Sequence, residues 1–343
     1  MRKLLNTLYI TSEDVYLSLD GECIVANYPE GTKKFIPLHT LEGIVSFSYK
    51  GASPSLIGKC VQDGIYMSFY SPSGRFYYYV GNEVNGNVLL RREQYRIADD
   101  KVRSLVFAKS FILGKLYNSK YVLHRCMRDH SLKVDVESLK EAIRHLNSNM
   151  QLVELAPDVD ILRGIEGKAA VSYFSAFPHL ILQNKKFFYF QGRVRRPATD
   201  SVNALLSFTY SLLSNDCASA LRGVGLDPYV GFMHTDKPGR KSLGLDLVEE
   251  LRPVYADRFV LTLINNRIVG PTDFEKRENG EVLLTDNSRR KFLSEWQEKK
   301  REEIVHPFLK EKIKWGLVPH VQALLLSRVI RGDLDCYPPF FWK

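Results

Sequence analysis

The stretch Gly81-Asn82-Glu83-Val84-Asn85-Gly86-Asn87 separates two parts of the chain with different hydrophobic periods. Gly and Asn at this density favour turns and carry no apolar repeat, so the segment reads as a linker. Before it, short runs rich in Val, Ile, Tyr and Phe at 8–11, 15–19, 23–27, 35–37, 43–47, 65–70 and 75–80 predict strands. Turn signals such as Asp20-Gly21, Pro29-Glu30-Gly31, Asp63-Gly64 and Ser71-Pro72-Ser73-Gly74 separate them, and 55–62 is the one helix expected among them. After the linker the period becomes 3.6. Leu105, Ala108, Phe111, Ile112, Lys115 and Leu116 outline an amphipathic helix, and 136–147, 160–176, 200–213 and 218–224 predict others, with Asp160 and Asp200 as N-caps. The fold class is therefore α+β: a small β-rich domain over 1–86, then a larger, mostly α-helical domain over 87–343.

The chain has 343 residues, 45% of them apolar, which suffices for a sizeable core. Lys and Arg outnumber Asp and Glu by 48 to 39, a net charge of +9 that favours a polyanionic partner. The five cysteines, Cys23, Cys60, Cys126, Cys217 and Cys336, are scattered and odd in number. That excludes a zinc ribbon or a disulfide framework and fits a reducing compartment. The start Met1-Arg2-Lys3-Leu4-Leu5 resembles a signal peptide, but Asn6, Glu13 and Asp14 interrupt it early. The longest apolar stretches, 203–213 and 321–330, are too short for a membrane span. The expectation is a soluble, cytoplasmic protein with no membrane partner.

Three segments beyond the linker offer ligands of the kind a catalytic divalent cation takes. Glu166 lies in a helical run among Gly164, Gly167, Ala169 and Ala170, small residues that let a backbone or a phosphate come near. The plainer reading is an exposed Glu beside a tight helix contact. His234 sits on a loop, with Lys237, Arg240 and Lys241 following; it reads as a metal ligand through a neutral ring nitrogen or as a surface histidine. In 242–251, Leu243, Leu247, Val248 and Leu251 form an apolar stripe, with Ser242 as N-cap and Pro253 closing the helix. Asp246, Glu249 and Glu250 gather on the other side, where they repel one another unless a cation or the basic segment 237–241 compensates them. The basic, aromatic run 185–196 and the charged helix expected around Arg289-Arg290-Lys291 and Lys299-Lys300-Arg301 complete the notable segments.

Taken in order, Gly164-Ile165-Glu166-Gly167-x-Ala169-Ala170-x-x-Tyr173-Phe174, Arg196-Pro197-x-x-Asp200-x-x-Asn203-Ala204-Leu205-Leu206-Ser207-Phe208-x-Tyr210, Gly231-Phe232-x-His234 and Ser242-Leu243-x-Leu245-Asp246-Leu247-x-Glu249-Glu250-Leu251-Arg252-Pro253 carry a resemblance. Together they resemble the CRISPR-associated endonuclease/integrase family, the universal adaptation protein of CRISPR antiviral defence, and order and spacing match over about 87–266. The resemblance implies a single divalent cation, Mg²⁺ or Mn²⁺, held by Glu166, His234 and Glu249. The last of these is often Asp in the family. Asp246 matches a second acidic position close to the metal, and all four are implied as catalytic. The implied reaction is transesterification, in which the 3′-OH of a protospacer DNA attacks phosphodiesters at the ends of the CRISPR repeat. Lys237, Arg240 and Lys241 would then hold phosphates. Asn203 and Tyr210 would support the site or contact DNA, although Tyr210 reads equally as core. Arg193, Arg195 and Arg196 of the basic run, with Arg91 and Arg92 past the linker, are further candidates for gripping double-stranded DNA. The family also implies a homodimer formed through the β domain, and a second, small adaptation protein bridging two dimers. Two other functions use the same residues differently: a metal-dependent nuclease or phosphoesterase without integration, and a noncatalytic nucleic-acid-binding scaffold. No role follows from the sequence for 279–343.

Overall fold

The computed structural model describes residues 6–70, 76–81, 88–194 and 197–342, which form two compact units. The linker beyond Gly81 lies outside the described residues, as do Arg195 and Arg196. The first unit comprises Met1–Asn85 and Leu284–Glu302. In chain order its first elements are β1 (Asn6–Ile10), β2 (Tyr16–Asp20), β3 (Cys23–Asn27), β4 (Lys33–Pro37), β5 (Leu41–Ser46), α1 (Pro54–Gln62), β6 (Tyr66–Tyr70) and β7 (Phe76–Val80). Strands β2-β3-β4 form an antiparallel sheet. A second sheet runs β1-β5-β6-β7, with β1–β5 and β5–β6 parallel and β6–β7 antiparallel. Parallel neighbours need a crossover, and α1 supplies the one between β5 and β6. Ser53 caps α1 by accepting from Leu56 N at 3.2 Å, with Pro54 preset for the first turn. Leu17, Ile24, Ile44, Leu56 and Met67 are fully buried at the centre of this unit.

The second unit comprises Gly86–Leu283 and Glu303–Lys343. Its main helices are α2 (Val88–Asp99), α3 (Lys101–Asp129), α4 (Val136–Leu155), α5 (Val159–Ala176), α6 (Ser201–Gly223), α7 (Ser242–Leu251) and α8 (Arg258–Asn265). Asp100, Asp135, Asp158 and Asp200 each cap the helix that follows them, accepting from backbone N–H groups of its first turn. The cap of α5 is thus Asp158, not the expected Asp160. The expected helices over 200–213 and 218–224 are one, α6, because Ser214, Asn215 and Asp216 continue the helical winding without a break. Further along come the hairpin β8 (Phe274–Lys276) and β9 (Val282–Leu284), α9 (Asp286–Arg301), the hairpin β10 (Glu303–Val305) and β11 (Lys312–Lys314), and α10 (Val318–Arg331).

The single helical domain expected over 87–343 is corrected at α9, which groups with the β-rich unit. Nor is α9 only a solvated charged helix. Phe292, Leu293 and Trp296 are buried, while Arg290 donates to the hydroxyls of Thr11 and Ser12 at 3.1 Å. Among the described residues, no helix is long and apolar enough to cross a membrane.

Candidate active site

Helix α3 carries a cation into the middle of the helical unit. Gly114 lies so close to α7 that a Cβ there would meet the Glu250 Cβ at 2.8 Å. Only a glycine allows this approach, and it brings the next residue, Lys115, to the carboxylates of Glu166 and Glu249. The Lys115 ammonium pairs with Glu166 Oε1 and with Glu249 Oε2, the latter at 2.7 Å. Burial works to lower the pKa of this amine, but Glu249 and Glu166 outweigh it and the pKa stands above the ordinary lysine value.

On α5, Leu162, Ile165 and Ala169 are buried and Glu166 is half-buried at the edge of that face. The flanking Gly164 and Gly167 are exposed, with nothing within 4 Å of the place a side chain would occupy. The glycines therefore do not serve a tight helix contact. They leave open space beside the carboxylate.

His234 sits on the loop ahead of α7, and two polar clamps hold that loop. Asp246 is fully buried and accepts from Phe232 N at 2.7 Å, Met233 N at 3.0 Å and His234 N at 3.0 Å. Its Oδ1 also meets His234 Nδ1 at 2.6 Å. A carboxylate there favours the proton on Nδ1 and leaves the Nε2 lone pair for an electrophile, the arrangement found behind metal-bound imidazoles. Gly231 makes the clamp possible, because a Cβ would meet Asp246 Oδ2 at 2.9 Å. The second clamp is Arg163, one turn before Glu166, which donates to the Met233 carbonyl at 2.6 Å. The three distant segments are thus joined in pairs: Glu166 to Glu249 through Lys115, the histidine loop to α7 through Asp246, and the same loop to α5 through Arg163.

Helix α7 itself departs from the expected pattern. Its three acids do not share a solvated face, for Asp246, Glu249 and Glu250 are all buried. Each has a separate set of partners, so no two of them face each other uncompensated. Lys241, not Ser242, precedes the first turn, and Pro253 does not end the helix but opens six residues of π-helical winding, Arg252–Asp257. Proline has no N–H for the preceding turn, and a widened turn accommodates it; such turns recur at functional sites.

That wide turn supplies Arg252, whose guanidinium reaches Glu249 Oε1 at 3.2 Å. Burial raises the Glu249 pKa, but Arg252, Lys115 and His234 in turn lower it further, to about 2. The ionic contacts place the carboxylate at a cationic centre. Tyr210 lies between two guanidiniums, Arg252 at 4.9 Å and Arg193 at 5.2 Å from its ring centre. Its hydroxyl, like that of Tyr173, donates to Asp257, whose buried carboxyl is pushed up to about 6 by burial. A narrow cleft of about 30 Å³ opens here between Lys115, Glu166, Arg193, Tyr210 and Arg252. A space of that size holds about two water-sized groups.

Glu250 faces the other way. It accepts from the Tyr337 hydroxyl, from Gln322 Nε2 at 3.0 Å and from Phe340 N at 2.7 Å. Asn118 completes this side, donating to Phe340 O at 2.7 Å and accepting from Trp342 N at 3.1 Å. The C-terminal segment, without a role in the sequence, is therefore bound by α3 and α7 directly behind the candidate site.

The remaining candidates fall into distinct groups. Lys237 is exposed at the tip of the loop, while Arg240 donates to Thr235 Oγ1 at 2.9 Å. Lys241 is half-buried and donates to Asn215 at 2.8 Å; burial, then Arg222, lowers its pKa to about 8. Asn203 lies inside the helical unit. It is fully buried, donating to Gly192 O and Asp200 and accepting from Arg193 and Val194 N. Arg193 is accordingly folded back onto α6, and in the same run Phe188 and Phe190 are core residues rather than stacking platforms. Arg91 is half-buried and Arg92 exposed on α2. Asp246 holds the histidine loop, its oxygens taken by three backbone donors and the imidazole of His234. Sequence reasoning missed Lys115, Arg163, Arg252 and Asp257 as site residues. A buried-side lysine in the apolar stripe of α3 was the available signal.

Glu166, His234 and Glu249 fit a divalent ion by their chemistry, two carboxylates and an imidazole with a free lone pair, which suits Mg²⁺ or Mn²⁺. Among the described residues no three His, Cys, Asp or Glu side chains form a ready-made metal cluster, and the two carboxylates converge instead on the Lys115 ammonium.

The model of the family described as CRISPR associated protein Cas1 matches residues 8–298. The chain is 46% identical over its whole length, and the whole of the relative, to CRISPR-associated endonuclease Cas1 1 of Chlorobaculum tepidum. It is 49% identical, again over the whole of both chains, to CRISPR-associated endonuclease Cas1 2 of Rhodospirillum rubrum. In fold it is similar to a casposase bound to integration product, with a TM-score of 0.85, 22% identity and coverage of 99% and 95% of the two chains. A Cas1 protein from Thermotoga maritima gives 0.81 at 22% identity, covering 95% and 97%. The N-terminal β-rich region followed by a mostly helical region is thus shared with these structures. With the family model spanning most of its length and full-length relatives at this identity, the chain belongs to the CRISPR-associated Cas1 family.

Proposed function

We propose that this chain is a divalent-metal-dependent DNA endonuclease and integrase that inserts protospacer DNA into a CRISPR array by transesterification. The observation that carries the reading is the meeting of Glu166 and Glu249, far apart in sequence, at one buried cationic centre. Family membership and relatives named as endonucleases support it.

Glu166, His234 and Glu249 are the groups that would hold Mg²⁺ or Mn²⁺, which when bound supplies charge at a phosphoryl oxygen and acidifies the attacking hydroxyl. The chain's own residues do the rest. Asp246 holds His234 in one tautomer and orientation, and Arg163 keeps its loop against α5. Arg252, braced on Tyr210, balances Glu249. Exposed Lys237 neutralises a phosphate next to the reacting one, and the bare flank of α5 at Gly164 and Gly167 leaves room for a DNA backbone. Arg91 and Arg92 extend the basic track. Within the same reading the β-rich unit forms the homodimer, for which exposed Tyr77 and Tyr78 on edge strand β7 offer apolar surface. A second small adaptation protein then bridges two dimers.

The test is strand transfer. A labelled duplex with free 3′-OH ends, incubated with a supercoiled plasmid carrying a leader and repeat, becomes joined to the plasmid in Mn²⁺ or Mg²⁺. Glu166→Ala and His234→Ala abolish joining while the circular dichroism spectrum is kept. Cutting without joining would assign a nuclease instead, neither cutting nor joining would leave only DNA binding, and unchanged joining by both variants would take Glu166 and His234 out of the reaction.

A further inference from the structure

We propose that Lys115 is an internal stand-in cation: its ammonium holds Glu166 and Glu249 together until a divalent ion arrives, and ion binding is an exchange that drives the ammonium out. The proposal rests on the metal-dependent reading above and adds a residue that the reading does not need.

Charge balance favours the exchange, which lowers the excess from two charges to one. Glu166 and Glu249 bring two negative charges, already matched by Lys115 and Arg252. A divalent ion added to that set would leave two uncompensated positive charges in a buried space, which is expensive in a medium of low polarisability. Geometry points the same way. Both oxygens of Glu249 are engaged, Oε1 by Arg252 at 3.2 Å and Oε2 by Lys115 at 2.7 Å. Neither Glu249 oxygen is therefore clear of a cation.

The two cations are not equally able to leave. Arg252 lies in the wide turn after α7 with its guanidinium against the Tyr210 ring. Lys115 is a compact charge on a flexible four-carbon stem. Lys115 also lines the cleft beside Arg193 and Arg252, so the released ammonium stays on a wall that an incoming phosphate faces. In the meantime it prevents the half-buried Glu166 and the buried Glu249 from repelling each other apart.

The experiment measures Mn²⁺ binding to the full chain by calorimetry, and thermal unfolding with and without Mn²⁺. Wild type binds Mn²⁺ with modest affinity. Lys115→Met and Lys115→Gln unfold at lower temperature without the ion, and bind it about tenfold more tightly because no cation competes for the carboxylates. Their unfolding temperature therefore rises more on Mn²⁺ addition than that of wild type. In unaltered protein, amine-directed labelling read by mass spectrometry finds Lys115 protected without Mn²⁺ and more reactive with it. Equal or weaker Mn²⁺ binding by both variants, or labelling of Lys115 unmoved by the ion, overturns the exchange while leaving the metal reading intact. If neither wild type nor variants bind Mn²⁺, the metal reading falls and the exchange with it.

Discussion

Glu249 and Glu250 are neighbours in sequence, both buried, and in opposite electrostatic worlds. Glu249 points to Lys115 and Arg252, and these cations overcome burial to hold its pKa at about 2. Glu250 points to the C-terminal segment, where Gln322, Tyr337 and Phe340 N donate to it but no cation answers it, and burial pushes it to about 7. Charge state in a protein interior is set by what packs against a side chain, not by its place in the chain. One side of α7 therefore faces cations, and the other faces backbone and phenol.

The largest expected difference tests that division directly. Glu249→Ala lowers the rate of strand transfer by about 10³-fold or more, because it removes charge at the reacting centre. Glu250→Gln, which mimics the protonated acid and keeps the contacts to Tyr337 and Phe340, stays within about threefold of wild type. Initial rates of joining on the same plasmid measure both. Comparable losses in the two variants would erase the distinction between the sides.

That distinction was only partly legible in the sequence. Glu166, His234 and Glu249 could be singled out only through the family resemblance, since by themselves their segments read equally as an exposed glutamate, a surface histidine and a solvated acidic face. The helix starts could be read as well: Asp200 is a cap because its short carboxylate reaches the N–H of Asn203. What could not be read is which of three acids on α7 faces what. An apolar stripe predicts one buried side, but all three acids are buried, each satisfied by residues from elsewhere. Asp246 takes its partners from the preceding loop, Glu249 from α3, and Glu250 from a segment 87 residues later. Lys115 was equally hidden: in an amphipathic pattern it is one residue of the stripe, and its role exists only through two distant carboxylates. The basic run was misleading for the opposite reason. Asn203 and Arg193 look available for DNA, yet Asn203 spends its hydrogen bonds on Gly192, Val194, Arg193 and Asp200.

A smaller effect concerns stability rather than chemistry, and lies on the Glu250 side. Phe340 is fully buried, and its N–H and carbonyl are both engaged. Phe340→Ala leaves a cavity and destabilises the helical unit by about 3–5 kcal/mol. Denaturant unfolding should register this. Mn²⁺ affinity should hardly change, since the lost ring packs behind α7 rather than at the carboxylates that would bind the ion. A large loss of Mn²⁺ affinity at full folding would show that the two sides are coupled.

The next effect is a slope in pH. Asp257 has a folded pKa of about 6 against an ordinary value of 3.8, so the folded chain holds its proton where the unfolded chain releases it. Its contribution to stability is fully present below about pH 4 and is lost as pH rises through about 6. Asp257→Asn removes this part of the slope, and unfolding temperatures taken across that window measure it. A slope identical to wild type would mean that the carboxyl is compensated by Arg252 and Arg193 rather than protonated.

The smallest effect compares one phenol from each side. Tyr210 donates to Asp257 and Tyr337 to Glu250, and each hydrogen bond lowers the pKa of its acid against the effect of burial. Tyr210→Phe keeps the ring between the two guanidiniums and loses about 1 kcal/mol for the hydrogen bond. Without that donor the Asp257 pKa rises above its present value, so the pH at which the stabilisation disappears moves upward. Tyr337→Phe costs a similar amount and leaves the Asp257 window in place, because its acid is a different one. If Tyr337→Phe also displaced that window, the two carboxylates would belong to a single network, and the separation of the two sides of α7 would not hold.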